Sequence, residues 1–394
     1  MKICVVSHSF FPTIGGAELV VHHLSKHMTM MGQEVIVFTH HKNFSPLFQF
    51  NYNVKYYPRV PKELFQGFIF SLFLTLIQKR SHFDIIHVHV AKMGYYATKI
   101  KKILKTPIVI TTHGRDLQKF PEIRYGFRLD PRWNRKIEYA LKNADLVTAI
   151  GSSTRQEYLK IGVQKNRIAD IPNGVDLKRF QASSQNIRKI LNLPADMKIV
   201  LVVGRYDIKK GFEYLIRAIP EVIKKQSNVK FLFIGKDLNI LRPLIQKLLI
   251  NPYIIVLEQQ TFNQKESSII NLDKIPNDIL LSAYKSSDVF VSPSLIEGFA
   301  LVIIEAMASG LPIVATNVSG NEDAIINGKN GILVPSRNPK ELAAKIIEIL
   351  QNNEMQKHLA KNAIEMSSNY DWKIITNKYL AQYKRLMTLY DKKH

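Results

Sequence analysis

The sequence predicts an α/β protein of two domains, each built on a parallel β-sheet. Three observations carry this. Short runs rich in Val and Ile alternate with helix-patterned segments from the first residues onward. The alternation pauses at a Pro-Asn-Gly stretch, residues 172–174, and a polar stretch, QASSQN, and restarts near residue 198. The chain has 394 residues, more than one ordinary core holds.

The apolar runs at 3–6, 34–38, 84–88, 107–111 and 145–150 read as strands, each ending in polar or small residues. Helical patterns lie between them, at 17–31, 95–104, 132–143 and 153–161. Buried runs with intervening helices indicate a parallel sheet covered on both faces. The second series has strands at 198–203, 229–234, 288–291, 312–315 and 331–334, with helices from 212 and near 279–286, 301–309 and 339–350. Residues 371–390 form an amphipathic helix pattern around Trp372, Ile375, Tyr379, Leu380, Tyr383 and Leu386. Two such units imply Rossmann-like domains whose parallel sheets face an interdomain cleft. The boundaries predicted are 1–175 and 176–371, with 372–394 completing the first domain.

Composition narrows the class. One cysteine, Cys4, excludes an intrachain disulfide and sits in an apolar run as a small hydrophobe. The opening MKICVVS reads as a strand and lacks a signal-peptide pattern. No stretch approaches the ~18 uncharged apolar residues that a spanning helix needs. The expectation is a cytoplasmic protein, free or on the cytoplasmic face of a membrane. The net charge is +23. Residues 1–180 hold 27 Lys and Arg against 12 Asp and Glu, so the first domain is the more basic. That bias fits an anionic substrate, an anionic membrane or nucleic acid. Nucleic acid would need basic and aromatic residues interleaved over one surface, and the stretch 119–139 is too short for that. Residues 64–77 (LFQGFIFSLFLTLI) are strongly apolar with Lys62, Lys79 and Arg80 beside them. Such a helix suits either the core of the first domain or the surface of an anionic membrane.

Ligands of these sheets bind at the carboxyl ends of the strands, so the loops there carry the functional signal. In SHSFFPTIGGAE, Gly15 and Gly16 open a helix whose positive end can meet an anion. The loop lacks both GxGxxG and GxxxxGK[ST]. In GRYDIKKG, residues 204–211, Arg205 and Lys210 suit a pyrophosphate: one offers a planar fork, the other a compact ammonium. In SPSLIEGFALVIIEAMASG, Glu297 falls in the loop and Glu305 inside the helix. One carboxylate can accept from sugar hydroxyls, the other from a ribose. The amides of Phe299, Ala300 and Leu301 stand at the helix N-terminus. A carboxylate among Ile303, Ile304, Ala306 and Met307 needs a partner. In TTHGRD, His113 follows a first-domain strand and would face the cleft.

Taken together and in this order, these segments resemble the retaining glycosyltransferases of family 4, which have the GT-B fold. GGAE at 15–18, IIHVH at 85–89, THG at 112–114, IPNGVD at 171–176, GRxxxxKG at 204–211 and EGFALVIIEAMASGLPIVAT at 297–316 carry the likeness. It spans essentially the whole chain, and the E-x7-E segment is its most specific part. The resemblance implies that Gly16 packs against the donor diphosphate and that Arg205 and Lys210 bind and stabilise it as leaving group. It implies that Glu297 bonds the donor sugar, Glu305 the ribose, and His113 the transferred sugar. Asn173 to Asp176 would lie near a hinge, and the last helix would cross back to the first domain. No metal and no cofactor is expected, and the substrate is a UDP- or GDP-sugar. The acceptor implied is a glycan or a lipid-linked glycan.

Two departures bear on the donor. Residues 251–267 look like an insertion, and Asp273 stands where the family has the glycine of its base-binding loop. Ser319 replaces a later family glycine, while Glu322 keeps its place. Uridine and guanosine donors therefore both stay open. Other readings are an epimerase acting on a nucleotide-sugar without acceptor, or a binding-only homologue. The joint presence of Arg205, Lys210, Glu297, Glu305 and His113 favours transfer.

Overall fold

A computed structural model describes residues 1–13, 15–40, 49–57, 63–182, 184–258 and 277–391. The chain divides into two compact units, Met1–Gly174 with Trp372–His394, and Val175–Asp371.

The first unit alternates strand and helix: β1 (Lys2–Ser7), α1 (Gly16–Met30), β2 (Glu34–Thr39), β3 (Asn53–Tyr56), α2 (Glu63–Ser81), β4 (Ile85–His89), α3 (Ala91–Lys99), α4 (Lys101–Leu104), β5 (Ile108–Thr111), α5 (Pro131–Asn143), β6 (Leu146–Ala149), α6 (Ser152–Ile161) and β7 (Ile168–Asp170). The strands form one sheet in the order β3-β2-β1-β4-β5-β6-β7, and every pairing is parallel. The order reverses between β1 and β4, so the loops after these two strands part at one point of the sheet. β4 and β5 are buried along their whole length, because helices cover both faces. Each buried Val or Ile of these strands contributes about 1.5–3 kcal/mol through removal from water.

Local chemistry sets the helix limits. At α5 the Asp130 carboxylate accepts from the Arg132 amide (2.8 Å), and Pro131 occupies the first helical position. The pattern at 95–104 predicted one helix, but the chain turns at Ile100 and gives α3 and α4. α2 crosses α3 closely. A Cβ on Gly67 would fall 2.1 Å from a Tyr96 ring carbon, so the two helices meet this closely only while the Tyr96 ring lies over the glycine.

The second unit contains α7 (Leu177–Gln181), α8 (Ile187–Ile190), β8 (Lys198–Val203), α9 (Phe212–Lys225), β9 (Val229–Gly235), α10 (Arg242–Lys247), β10 (Ile254–Glu258), α11 (Asn277–Ser286), β11 (Val289–Ser292), α12 (Leu301–Ser309), β12 (Ile313–Thr316), α13 (Ser319–Glu322), β13 (Ile332–Val334), α14 (Pro339–Gln351) and α15 (Asn353–Ser367). Its sheet runs β10-β9-β8-β11-β12-β13, again all parallel. Part of the stretch expected as an insertion is thus a strand. Ile254 to Glu258 pair with Phe231 to Gly235 and extend the sheet edge. The rest of that stretch, and Asp273, lie outside the described residues.

The chain then returns to the first unit as α16 (Trp372–Asp391). Trp372 stacks on His23 with ring centroids 5.4 Å apart, and the Tyr383 hydroxyl pairs with His87 Nδ1 at 2.6 Å. Among the described residues no helix is long and apolar enough to cross a membrane.

Candidate active site

Two loops of the second unit are held together at the carboxyl ends of β8 and β11. After β8 the Asp207 side chain accepts from the Lys209 amide (3.1 Å) and starts a short turn over Ile208–Lys210. Gly211 ends that turn in the left-handed region, at φ 61°. A Cβ there would lie 2.2 Å from the Pro293 carbonyl oxygen, so the position admits only glycine. The Leu295 amide donates to the Lys209 carbonyl (2.7 Å) and closes the contact.

This brings Lys210 to Glu297, 87 residues further along the chain. Lys210 Nζ donates to Glu297 Oε1 at 2.5 Å, Ser294 Oγ donates to the same oxygen at 2.9 Å, and Lys209 Nζ lies 3.8 Å from Oε2. Glu297 is 4% exposed. Burial pushes its carboxyl up, but the Lys210 and Lys209 ammoniums outweigh burial and hold it at about 2. The group is therefore ionised at all ordinary pH and accepts hydrogen bonds only, the form suited to hydroxyl donors. Arg205 projects into solvent one residue beyond Gly204 and forms no ion pair among the described residues.

Glu305 sits partly buried in α12. The sequence argument required a partner for it, and the structure supplies Tyr284, whose hydroxyl donates to Oε2 at 2.9 Å. Burial raises the Glu305 carboxyl, and nearby Arg179, the Tyr284 bond and Lys210 oppose the rise. Ala300 caps α12 without a side-chain bond. Phe299 and Ala300 are buried, so the first-turn amides stand in a sheltered place beside Glu297.

In the first unit the candidates stand on two loops. Gly15 is the N-cap of α1 in extended conformation, and Gly16 is its exposed first residue. Glu18 curls back over this end. Its Oε2 lies 2.7 Å from where a Gly15 Cβ would be, and Ser9 Oγ donates to its other oxygen. A carboxylate in the first turn complements the positive end of the helix.

His113 follows β5. Its amide donates to Asp116 Oδ1 (3.0 Å), while Asp116 Oδ2 accepts from the Ala91 amide (3.0 Å). The ring stacks on His89 with an interplanar angle of 11°, and His113 Nε2 pairs with His89 Nδ1 at 3.0 Å. Burial lowers His113 to about 4 and lowers His89 as well, so both are neutral at pH 7.

Sequence reasoning brought Arg205, Lys210, Glu297, Phe299, Ala300, Leu301 and Glu305 to one end of one sheet, and all lie in the second unit. It missed Lys209, Tyr284 and Arg179, which act on the two glutamates from other segments. It also gave no role to His89. The signal was present, since His87 and His89 alternate along β4 and so share a face. Among the described residues no three His, Cys, Asp or Glu side chains gather where they could hold a metal ion.

Comparison with known proteins places the chain among sugar-transferring enzymes. Residues 14–179 match the family described as Glycosyltransferase Family 4, and residues 183–366 match Glycosyl transferases group 1. The chain belongs to glycosyltransferase family 4, with the GT-B fold. It is 25% identical to an uncharacterized glycosyltransferase of Methanocaldococcus jannaschii over 99% of both chains. Sucrose-phosphate synthase of Thermosynechococcus elongatus superposes with a TM-score of 0.81 at 24% identity, over 98% of this chain and 99% of that one. HepE of Anabaena, solved in complex with UDP-glucose, gives a TM-score of 0.78 at 20% identity, over 98% and 99%.

Proposed function

We propose that the protein is a retaining, metal-independent hexosyltransferase. It takes the sugar from a UDP- or GDP-linked donor bound by the second unit. It passes the sugar to a glycan or lipid-linked acceptor bound by the first, at the cytoplasmic face of a membrane. The observation that carries the reading is the closed contact of the 204–211 and 292–297 loops, which sets two cations and an ionised carboxylate beside a helix N-terminus.

Arg205 and Lys210 bind the donor diphosphate. The acceptor oxygen bonds to the anomeric carbon while the bond from that carbon to the phosphate oxygen breaks. The acceptor proton passes to the departing phosphate, on the same face of the sugar. Negative charge grows on the diphosphate, and the Lys210 ammonium, held by Glu297, stabilises it together with the exposed Arg205 guanidinium, which is the term that dominates most such reactions. They do what a metal ion does elsewhere. Lys210 has three donors, of which Glu297 takes one, so the ammonium can serve both groups. Glu297 orients the sugar hydroxyls and Glu305 the ribose. The amides of Phe299, Ala300 and Leu301, with Gly15 and Gly16, complete the donor contacts. Neutral His113, held by His89 and Asp116, contacts the transferred sugar. HepE's complex with UDP-glucose, on the same fold, supports a nucleotide-sugar donor.

The test is to incubate the protein with UDP- and GDP-sugars and lipid-linked or free glycan acceptors. Release of nucleoside diphosphate in the presence of a chelator, with the product's anomeric configuration matching the donor's, is expected. An inverted product would refute the retaining reading.

A further inference from the structure

We propose that the outer face of α2, with α4 beside it, docks the protein on an anionic lipid bilayer. α2 is apolar on two faces. Its inner face carries Phe70 and Leu74, both fully buried, and the Gly67–Tyr96 crossing fixes its rotation. Its outer face carries Phe65, Phe68, Leu72 and Leu76, exposed at 55%, 69%, 49% and 57%. These four recur at i, i+3, i+7 and i+11 and form one stripe roughly 16 Å long. α4 packs against α2 and adds Ile103, exposed at 61%.

Charge identifies the occupant. Lys79 and Arg80 end α2, and Lys102 and Lys105 flank Ile103, all four exposed. Residues 63–105 hold seven Lys and Arg against two acidic residues, Glu63 and Asp84. The next helices continue the same chemistry, with the Lys92 and Lys136 ammoniums over the Trp133 ring at 3.5 and 4.6 Å. An aliphatic and aromatic stripe rimmed by positive charge meets both needs at a bilayer surface: acyl chains take the stripe and anionic headgroups take the rim. The inference deepens the lipid-linked acceptor reading and rests on it for its purpose, because docking brings the first unit to the plane where such an acceptor lies.

The test uses the full chain with vesicles of phosphatidylcholine, alone or mixed with phosphatidylglycerol, in a sedimentation assay. Binding to the mixed vesicles only, released by salt, is expected. The variant Phe68→Ser, Leu72→Ser, Leu76→Ser should lose it. Lys102→Ala with Lys105→Ala should weaken it about 30-fold, at about fivefold per basic residue near the surface. Both variants should keep the melting shift that UDP or GDP gives the wild type, which reports an intact fold and an intact donor site. Equal binding to both vesicle types, no binding, or binding retained by the stripe variant overturns the proposal. A wild type that self-associates through this stripe and ignores vesicles assigns the face to a second copy and also overturns it. Vesicle binding with no nucleotide shift supports the docking face and counts against the transferase reading alone.

Discussion

Replacing Lys210 with Met separates what the Lys210–Glu297 pair does for the fold from what it does for the reaction. The pair is 2.5 Å apart, with side chains 18% and 5% exposed. Removing the ammonium leaves a buried carboxylate with Ser294 at 2.9 Å and Lys209 at 3.8 Å. Breaking one side of a buried pair typically costs 3–5 kcal/mol. The carboxyl can escape by taking a proton. Holding a carboxyl of ordinary pKa 4.5 neutral at pH 7 costs about 3.4 kcal/mol, so both routes reach the same range. The sign with pH follows. In the wild type the Glu297 carboxyl is depressed to about 2, so its contribution is complete above 4.5 and fades only as pH falls toward 2. In the variant the carboxyl is raised, the folded state binds the extra proton, and acid relieves the strain. The stability gap should therefore narrow by about 2–3 kcal/mol between pH 7 and pH 5. Denaturant unfolding of both proteins at the two pH values measures this. The double variant Lys210→Met, Glu297→Gln should regain most of the loss without regaining turnover. A single variant within about 0.5 kcal/mol of wild type at pH 7 would refute the reasoning, because that is what an ordinary exposed site gives.

Other residues give sharper local tests. His22, His87 and His89 are buried and lowered, the first two to about 3, so unfolding takes up protons once pH drops below 6.5. With His113, lowered to about 4, these four groups should cost about 5 kcal/mol per pH unit between pH 6 and pH 5, seen as a fall in melting temperature of the first unit. Gly211→Ala forces a Cβ against the Pro293 carbonyl at a positive φ and should destabilise the second unit by about 2–4 kcal/mol in calorimetry. Tyr284→Phe removes the donor to Glu305 Oε2 and should cost about 1–3 kcal/mol in chemical denaturation. An unchanged stability would mean that Arg179 alone satisfies the carboxylate.

The parallel sheets were legible because their central strands are continuous Val and Ile runs, buried on both faces. The edges were harder to read. β3 is NVKY, largely exposed, and presents no apolar run, while β10 follows a proline and resembles inserted chain. Glu297, Lys210 and Glu305 could be picked out as charges at strand ends or in an apolar helix. Their partners could not. Tyr284 reaches Glu305 from α11, and Lys209 reaches Glu297 across two loops joined by one backbone bond, so only the packed fold brings them together. The stripe on α2 was ambiguous for a related reason. A helix apolar all round gives no periodicity to say which face is inside, and the Gly67 crossing decides it.

The central claim is that the second unit binds a nucleotide-sugar diphosphate through Arg205 and Lys210. Melting temperature against a panel of nucleotides, for wild type and Arg205→Ala, tests it most directly. A ligand at about 100 times its Kd stabilises the fold by roughly 2.7 kcal/mol. Arg205 is exposed and outside any described ion pair, so its removal should shift unliganded stability by no more than about 0.5 kcal/mol. The account predicts a rise with UDP or GDP that Arg205→Ala abolishes, with turnover lowered roughly 10²–10³-fold. No rise with any nucleotide, or an equal rise in the variant, would contradict it.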